Sequence, residues 1–227
     1  MQPHAEKAAL DPQVFKGSLH TRFEQEYGFG DTAGIDEAGC GPWAGPVVAA
    51  AVILFPAFLS LPFVKLIDDS KRLSPEKRER IVKEIESLKN SPSQDLPLLW
   101  GIGQSSSQEI DSLNIRQANF LAMKRALKAL PKTPKTILLD GTGGLQVEGM
   151  TIVPLVKGDQ QSLSIATASL LAKVTRDRLM EQLATIYPMY AWERNKGYGT
   201  RPHQEALQRH GPSPYHRISF KPVKALL

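Results

Sequence analysis

The sequence predicts an α/β domain with a central mixed β-sheet flanked by helices and a helical C-terminal portion. Apolar strand-like segments come first in the chain, and amphipathic helical segments then alternate with further strands. The 227 residues, 41% hydrophobic and 22% charged, are ordinary for one globular domain. We assign residues 1–30 to an N-terminal arm, with a helical turn near 19–27, and residues 31–227 to a single domain.

In the first half, segments 32–36 and 47–54 should form paired strands, and the second is rich in Val and Ala as buried strands are. Pro56 and Pro62 interrupt the chain after them. Ser74 followed by Pro75 is a strong helix-start signal, so a helix is expected to run to about residue 89. After this helix we expect a loop at 90–97, a strand at 98–104, a turn at 105–107 and a helix at 114–130.

The second half begins with a buried strand at 136–141, which is closed by an acid and a glycine. A shorter strand at 152–156 comes next, and a long helix should span 162–186. The remaining segments are a basic, aromatic and glycine-rich loop at 192–201, a short helix at 202–210 and an extended tail.

Charge is unevenly distributed along the chain. Residues 157–227 contain 11 Lys and Arg against 5 Asp and Glu, whereas residues 1–156 contain 17 against 18. The net charge of +5 therefore comes from the C-terminal third, which suggests a polyanionic partner such as nucleic acid. On charge alone, a basic surface that serves solubility explains the pattern equally well.

The single cysteine, Cys40, excludes an intrachain disulfide and fits a reducing compartment. The first twenty residues lack the apolar core of a signal peptide. The longest apolar runs are far shorter than the roughly 20 residues that cross a bilayer. We therefore expect a cytoplasmic protein with no membrane partner.

Four acids stand where strands end. Asp36 and Glu37 lie between an apolar approach and a glycine-rich turn, Asp140 closes the strand at 136–141, and Asp159 comes after the next strand. If the strands are neighbours, these side chains converge, and close carboxylates repel unless cations neutralise them. Oxygen ligands without His or Cys favour Mg²⁺ or Mn²⁺, and four carboxylates can hold two such ions for phosphodiester hydrolysis.

Each acid taken singly has an ordinary explanation. The pair Asp36 and Glu37 resembles a solvated turn, Asp140 a turn after a strand, and Asp159 a helix cap. Asp177, in a helix between Arg176 and Arg178, is better explained by an ion pair. Only the set of acids, in a chain with a basic third, favours metal-dependent phosphoryl chemistry.

Seven segments match, in order, the signature motifs of one family, and the chain resembles ribonuclease HII, the type 2 ribonuclease H. Taken singly, only two of them are highly specific, the segment that begins Gly34-Ile-Asp-Glu-Ala-Gly-Cys-Gly-Pro and the segment 168–177. The matching segments are 34–48, 68–71, 139–141, 157–159, 168–177, 196–200 and 216–220.

The resemblance implies a ribonuclease H-like fold and hydrolysis of RNA in RNA–DNA hybrids. It also implies cutting on the 5′ side of single ribonucleotides in duplex DNA, with two Mn²⁺ or Mg²⁺ ions, leaving 3′-hydroxyl and 5′-phosphate ends. The family's catalytic, metal-binding acids fall on Asp36, Glu37, Asp140 and Asp159. Its remaining substrate contacts fall on Gly39, Cys40 and Gly41 for the 2′-hydroxyl, Ser70 and Lys71 for the backbone, and Tyr198 for the ribose.

Tyr198 also has a physical case, because it lies between two glycines in a basic loop and offers a flat face to nucleic acid. A tyrosine that packs its loop onto the core is the alternative. We expect Lys71, Lys173 and the basic C-terminal third to guide the phosphate backbone. No heptad pattern demands a dimer, so the chain is expected to act as a monomer.

Cys40 departs from the family, which usually has Arg at this position. We therefore expect a weaker phosphate contact, although main-chain recognition by the turn can persist. A nucleophilic cysteine is disfavoured, because no base is evident near it and the acids already account for the chemistry.

Two rival functions are open from the residues alone. One is another nuclease of the same broad fold, such as a Holliday-junction resolvase, which would cut DNA without any ribonucleotide. The other is a nonenzymatic nucleic-acid-binding module, which would show salt-dependent binding without metal-dependent cutting.

Overall fold

The structure is a computed structural model that describes residues 19–88 and 96–225. Most of the predicted arm and most of the predicted loop at 90–97 lie outside the described residues. Within those ranges, no helix has both the length and the apolar character needed to span a membrane.

One mixed sheet organises the described chain. Its strands are β1 Thr32–Ala38, β2 Val47–Leu54, β3 Leu98–Ser105, β4 Thr136–Asp140 and β5 Thr151–Leu155. They lie in the order β3-β2-β1-β4-β5. β2 runs antiparallel to both β1 and β3, whereas β1, β4 and β5 are parallel. The predicted strands and their mixed arrangement are confirmed.

Helices cover both faces of this sheet. Their bounds are α1 Arg22–Tyr27, α2 Pro75–Ser87, α3 Ser107–Leu113, α4 Ile115–Lys128, α5 Leu163–Ile186, α6 Trp192–Asn195, α7 Arg201–His210 and α8 Lys221–Lys224. α5 packs on one face, against β1 and β2, and α4 packs on the other, against β2 and β3. β2 is buried along its whole length because it lies between β3 and β1 and is covered on both faces.

The long helix α5 approaches β1 closely at Gly34. A Cβ atom on Gly34 would lie only 2.4 Å from the backbone nitrogen of Ile165, so any side chain there would push the helix away. This contact holds α5 directly over the strand that carries Asp36.

Helix α2 begins as predicted. The hydroxyl of Ser74 accepts a hydrogen bond from the backbone N–H of Lys77 at 3.4 Å, and Pro75 occupies the first turn. The predicted helix at 114–130 is confirmed as α4, which is capped by the side chain of Asn114.

Helix α3 was not predicted, and the turn expected at 105–107 is instead the end of β3 followed by this helix. Ser106 and Glu109 form a capping box, in which each side chain bonds the backbone N–H of the other. The signal was therefore present locally, but the segment is too short to show a helical period.

The C-terminal segment is more structured than predicted. The loop expected at 192–201 starts with the single-turn helix α6, and the tail expected to be extended ends in α8. His216 forms an isolated antiparallel bridge with Ala44, which places the tail beside the turn that succeeds β1. Short helices of this kind are set by tertiary contacts rather than by sequence period.

The described part of the N-terminal arm packs onto the domain. The predicted helical turn is confirmed as α1, whose Glu24 is buried. One carboxylate oxygen of Glu24 accepts hydrogen bonds from the Ser162 hydroxyl and from the N–H and hydroxyl of Ser164. α1 thereby holds the start of α5, while the boundary between arm and domain stays a prediction.

Candidate active site

The parallel strands β1, β4 and β5 lead to one edge of the sheet, and the four predicted acids lie there. Asp36 and Glu37 are near the end of β1, Asp140 is the last residue of β4, and Asp159 lies in a 3₁₀ turn after β5. The parallel register of β1 and β4 brings Asp36 beside Asp140. The fold therefore gathers acids that are up to 123 positions apart in the chain, since they span residues 36 to 159.

Asp36 and Glu37 project toward opposite faces of the sheet, because successive side chains on a strand alternate. Asp36 is buried on the α5 side, where the hydroxyl of Ser169 donates a hydrogen bond to it. The backbone N–H of Glu37 also donates to Asp36 Oδ1 at 2.7 Å. Glu37 itself accepts a hydrogen bond from the side chain of Asn119 on α4.

Asp140 is hydrogen-bonded to the residue that precedes Asp159, which keeps the two acids close. Asp140 Oδ1 accepts a 2.6 Å hydrogen bond from the backbone N–H of Gly158, which holds the 3₁₀ turn against the end of β4. Asp159 is buried and its Oδ2 lies 3.6 Å from Nζ of Lys71. The side chain of Lys71 is 82% exposed, so its ammonium group lies between Asp159 and the solvent.

Burial and mutual repulsion act on these carboxyl groups. Burial raises the pKa of Asp36 well above its usual range, and the charges of Glu37 and Asp140 raise it further. Burial also raises the pKa of Glu37 and of Asp159, and the nearby charge of Asp140 adds to both effects. Partial burial acts to lower the pKa of Lys71, but Asp159 and the other acids outweigh it and raise that pKa.

The glycine turn after β1 rests on two buried arginines. Gly39 has a φ of +102°, and a Cβ atom there would lie 2.1 Å from Nε of Arg176. Arg176 donates hydrogen bonds to three carbonyl groups and Arg217 donates to three others. Those of Arg176 belong to Ala44, Pro46 and Lys196, and those of Arg217 belong to Gly39, Cys40 and Gly45.

Tyr198 lies against this turn. A Cβ atom on Gly41 would be 3.6 Å from Cε1 of the Tyr198 ring, which is ordinary van der Waals contact. Tyr198 is 50% exposed, and its carbonyl faces Nδ1 of His203 at 2.9 Å. The structure thus brings the predicted ribose-stacking ring and the predicted 2′-hydroxyl-reading turn into one place.

The comparisons with known proteins decide the family. A family model for ribonuclease HII matches residues 33–223. The chain belongs to the ribonuclease HII family. The ribonuclease HII of Paramagnetospirillum magneticum is 47% identical over 196 residues, which cover 86% of this chain and 92% of that relative.

Solved structures of this family and of the related ribonuclease HIII share the fold. The ribonuclease H2 of Pyrococcus horikoshii OT3 superposes with a TM-score of 0.67 at 25% identity, covering 86% of this chain and 96% of that one. Bst-RNase HIII in complex with Mn²⁺ gives a TM-score of 0.66 at 18% identity, covering 88% and 70%, which shows the fold alone. The predicted ribonuclease H-like fold is confirmed.

Membership in the ribonuclease HII family confirms the predicted enzyme class. The chain is a hydrolase of the nuclease type, and the family assigns it endonuclease activity on the RNA of RNA–DNA hybrids. The rival interpretations, a resolvase and a nonenzymatic binding module, are not supported by the family assignment.

The acids fit a divalent cation by their chemistry, although they do not yet enclose one. Among the described residues, no three His, Cys, Asp or Glu side chains are arranged as a ready-made metal site. Asp36 and Glu37 face away from each other, and this separates their carboxylates. The cluster nevertheless offers only oxygen ligands, and a cation would relieve the repulsion that raises the pKa of Asp36.

The other predicted substrate contacts lie at different depths. Ser70 is buried, and its hydroxyl lies 3.0 Å from that of Ser169, which in turn bonds Asp36. Lys173 lies farther along α5 and binds both carboxylate oxygens of Asp177, at 2.6 and 2.7 Å. The predicted ion pair of Asp177 is confirmed, and the contacts of Ser70, Lys71 and Lys173 with substrate stay predictions.

Several residues of this ribonuclease HII site were not predicted individually. Ser169 and Asn119 orient Asp36 and Glu37, and each lies on a helix far from the acids in sequence. Asp69 is buried beside the site, where its Oδ2 accepts a hydrogen bond from Gln160 at 3.1 Å. Asp69 and Ser169 lie inside segments that match the family's motifs, which was the available signal; Asn119 had none.

Proposed function

We propose that this ribonuclease HII cuts on the 5′ side of single ribonucleotides embedded in duplex DNA as well as within RNA–DNA hybrids. The products would carry 3′-hydroxyl and 5′-phosphate ends. One observation supports this most: the acid cluster around Asp36 and Asp140 shares an edge of the fold with the turn at 39–41 and with Tyr198. A phosphodiester next to a ribose can therefore meet both at once.

The catalytic role falls on Asp36, Glu37, Asp140 and Asp159, which would hold two Mn²⁺ or Mg²⁺ ions. Such ions, when bound, stabilise charge on the phosphate and lower the pKa of a water molecule, which can then lose a proton and act as the nucleophile. The chain itself holds the carboxylates in place. Ser169 and a backbone N–H fix Asp36, Asn119 fixes Glu37, and the Gly158 N–H fixes Asp140. These hydrogen bonds restrict how far each carboxylate can turn, which limits the reorganisation needed during reaction.

Selectivity for a ribonucleotide would come from the turn and the tyrosine. Main-chain groups of Gly39, Cys40 and Gly41 can hydrogen-bond a 2′-hydroxyl, which distinguishes RNA from DNA at one position. The half-exposed ring of Tyr198 offers the adjoining flat surface for the sugar. Neither group reads a base edge, so the cut should be independent of base identity.

Cationic side chains would guide the nucleic-acid backbone. Lys71 is beside Asp159, where its exposed ammonium can meet the phosphate that flanks the cut. Lys173, Arg194 and Arg201 of the basic C-terminal third would add further contacts, each by exchanging its carboxylate partner, which is Asp177, Glu193 or Glu205 respectively, for a phosphate. We propose that the enzyme acts on such duplexes in the cytoplasm, as a monomer and in the removal of ribonucleotides from DNA.

Cys40 would not act as a nucleophile. Burial, together with the charge of Glu37, raises the pKa of its thiol to about 12, so the thiol stays protonated at neutral pH. Its Sγ atom lies 3.6 Å from Glu37 Oε1 and donates weakly to that carboxylate. Cys40 therefore supports Glu37 and leaves out the phosphate contact that an arginine would make.

The test uses the purified protein with three labelled duplexes: one with a single ribonucleotide, one RNA–DNA hybrid and one of DNA alone. In Mn²⁺ we expect cleavage of the first two, with the cut mapped to the 5′ side of the ribonucleotide, and no cleavage of the third. EDTA should stop both reactions. Cleavage of the all-DNA duplex, no cleavage in Mn²⁺, or undiminished cleavage in EDTA would each contradict the proposal.

A further inference from the structure

Arg217 is a buried cation whose side-chain hydrogen bonds all go to backbone carbonyl groups. The residue has no exposed surface, and its guanidinium makes four hydrogen bonds to the carbonyls of Gly39, Cys40 and Gly45, at 2.7 to 3.1 Å. Its cation also lies over the ring of Phe220, 5.1 Å from the centroid. No carboxylate among the described residues is within ion-pair distance of it, although a buried charge normally needs such a partner.

The chain around Arg217 joins the C-terminal tail to the turn. The backbone N–H of Arg217 donates to the carbonyl of Trp43 at 2.8 Å, and the N–H of Gly45 donates to the carbonyl of Tyr215 at 2.9 Å. Arg217 is thus fixed at both its backbone, by the hydrogen bond to Trp43, and its guanidinium, by the carbonyls that it binds.

This arrangement determines where two amide groups point. In a planar trans peptide, the N–H of one residue is directed opposite to the C=O of the residue before it. The carbonyls of Gly39 and Cys40 both face Arg217, so the N–H groups of Cys40 and Gly41 face away from it. Neither amide donates a hydrogen bond to any other part of the chain that the structure describes.

Two neighbouring, unengaged N–H donors beside the Tyr198 ring suit an oxygen acceptor such as a hydroxyl. We infer that Arg217 is a positioning residue, which orients the two peptide units from Gly39 to Gly41 so that the amides of Cys40 and Gly41 meet the ribose. This inference rests on the proposed function and names the residue on which its 2′-hydroxyl selectivity depends. Without Arg217, the glycines on either side of Cys40 permit these peptides to turn over.

Arg176 provides a matched control. It is equally buried and packs against Gly39, but its hydrogen bonds go to the carbonyls of Ala44, Pro46 and Lys196 and not to those of Gly39 or Cys40. Replacing either arginine by lysine keeps the charge and removes the fork that spans several carbonyls. Both variants should lose stability and packing near the turn, whereas only Arg217→Lys removes the hydrogen bonds that set the direction of the two amides.

The experiment exploits the single cysteine of the chain. Labelling with ¹⁵N-cysteine gives one amide resonance, that of Cys40, which can be followed by NMR. The probes are a duplex with one ribonucleotide and the same duplex made of DNA, both added in EDTA so that nothing is cut. Affinities for the two duplexes are measured in parallel by fluorescence anisotropy.

In the wild type, we expect the ribonucleotide duplex to shift the Cys40 resonance by more than the DNA duplex does. Arg217→Lys should remove this difference and reduce the ratio of the two affinities by about tenfold, the effect of one lost hydrogen bond. Arg176→Lys should keep both. An unchanged ratio in Arg217→Lys, or equal losses in the two variants, would overturn the inference.

The wild-type data alone keep the inference testable if Arg217→Lys does not fold. A Cys40 resonance that responds identically to both duplexes, while the ribonucleotide duplex binds more tightly, would refute the role of this amide and leave the proposed function standing. Equal affinities together with an absence of ribonucleotide-dependent cleavage would instead refute the proposed function itself.

Discussion

The ring of Tyr198 lies beside Gly41, because a Cβ atom placed on this glycine would come within 3.6 Å of Cε1 of that ring. Residues 157 positions apart in the chain, from 41 to 198, therefore form one surface at the edge of the acid cluster. A residue larger than glycine at 41 would narrow the space between ring and turn, where the proposed function places the ribose.

The first prediction concerns this ring. Tyr198→Ala should raise the KM for a duplex with one ribonucleotide by roughly tenfold, because aromatic stacking on nucleic acid contributes about 1–3 kcal/mol. Tyr198→Phe keeps the flat face and should remain close to the wild type. Steady-state kinetics on that duplex measure both. Equal losses in the two variants would show that the hydroxyl, and not the ring face, is what matters.

A second prediction concerns Cys40, where the chain departs from its family. Cys40→Arg should bind duplexes more tightly, and the slope of log affinity against log salt should steepen by about one unit, as expected for one added phosphate contact. Cys40→Ser should keep most activity because the protonated thiol supplies no nucleophile. Loss of all cleavage in Cys40→Ser, with an intact fold, would reopen the nucleophilic role.

A third prediction concerns a buried histidine pair in the C-terminal segment. Nε2 of His203 lies 3.0 Å from Nε2 of His216, and Nδ1 of His216 accepts the backbone N–H of Ser213. Nδ1 of His203 faces the Tyr198 carbonyl and must carry a proton, so the proton between the rings belongs to His216. The network needs both rings neutral.

Burial and the neighbouring His203 lower the pKa of His216 from 6.5 to about 4, and burial also lowers the pKa of His203. Between pH 6.5 and 4 the unfolded chain binds protons that the folded chain does not. The free energy of unfolding should therefore be highest above pH 6.5 and should fall as the pH decreases. His216 accounts for at most about 3 kcal/mol of this decrease. Urea unfolding at a series of pH values measures it, and a flat profile across this window would contradict the account.

A fourth prediction concerns the contact between α1 and α5. Glu24→Ala should lower the free energy of unfolding by about 2 kcal/mol, because it leaves the buried N–H of Ser164 and two hydroxyls without their acceptor. Glu26→Ala changes an exposed acid of the same helix and should have little effect. If the two variants are equally stable, α1 does not hold the start of α5.

Much of this fold could be predicted from local patterns. The strands were found because their apolar runs are long and bounded by turn residues, and α2 because Ser74 and Pro75 mark its start. Helix α3 was missed although Ser106 and Glu109 supplied a capping signal, since one box without a period is easily taken for a turn. The four acids could be selected because each lies within a few residues of the end of a strand.

The support around the acids could not be read from the sequence in the same way. Asn119 reaches Glu37 from the opposite face to Ser169, and only the packing of α4 and α5 on the sheet reveals this. Arg217 binds the carbonyl of Gly39 from 178 positions away. Such contacts depend on three-dimensional packing, and no local pattern in a single sequence indicates them.

The central claim, that the gathered carboxylates are the catalytic centre, is tested most directly by one substitution with a matched control. Asp140→Asn removes a charge from the acid cluster. Asp31→Asn removes one near the start of β1, at the other end of the strand, where Asp31 pairs with Lys132 and Lys135. We predict that in Mn²⁺ Asp140→Asn cuts the single-ribonucleotide duplex at least about a hundredfold more slowly than the wild type, with its fold intact by circular dichroism. Asp31→Asn should cut at the wild-type rate, and a wild-type rate in Asp140→Asn would contradict the account.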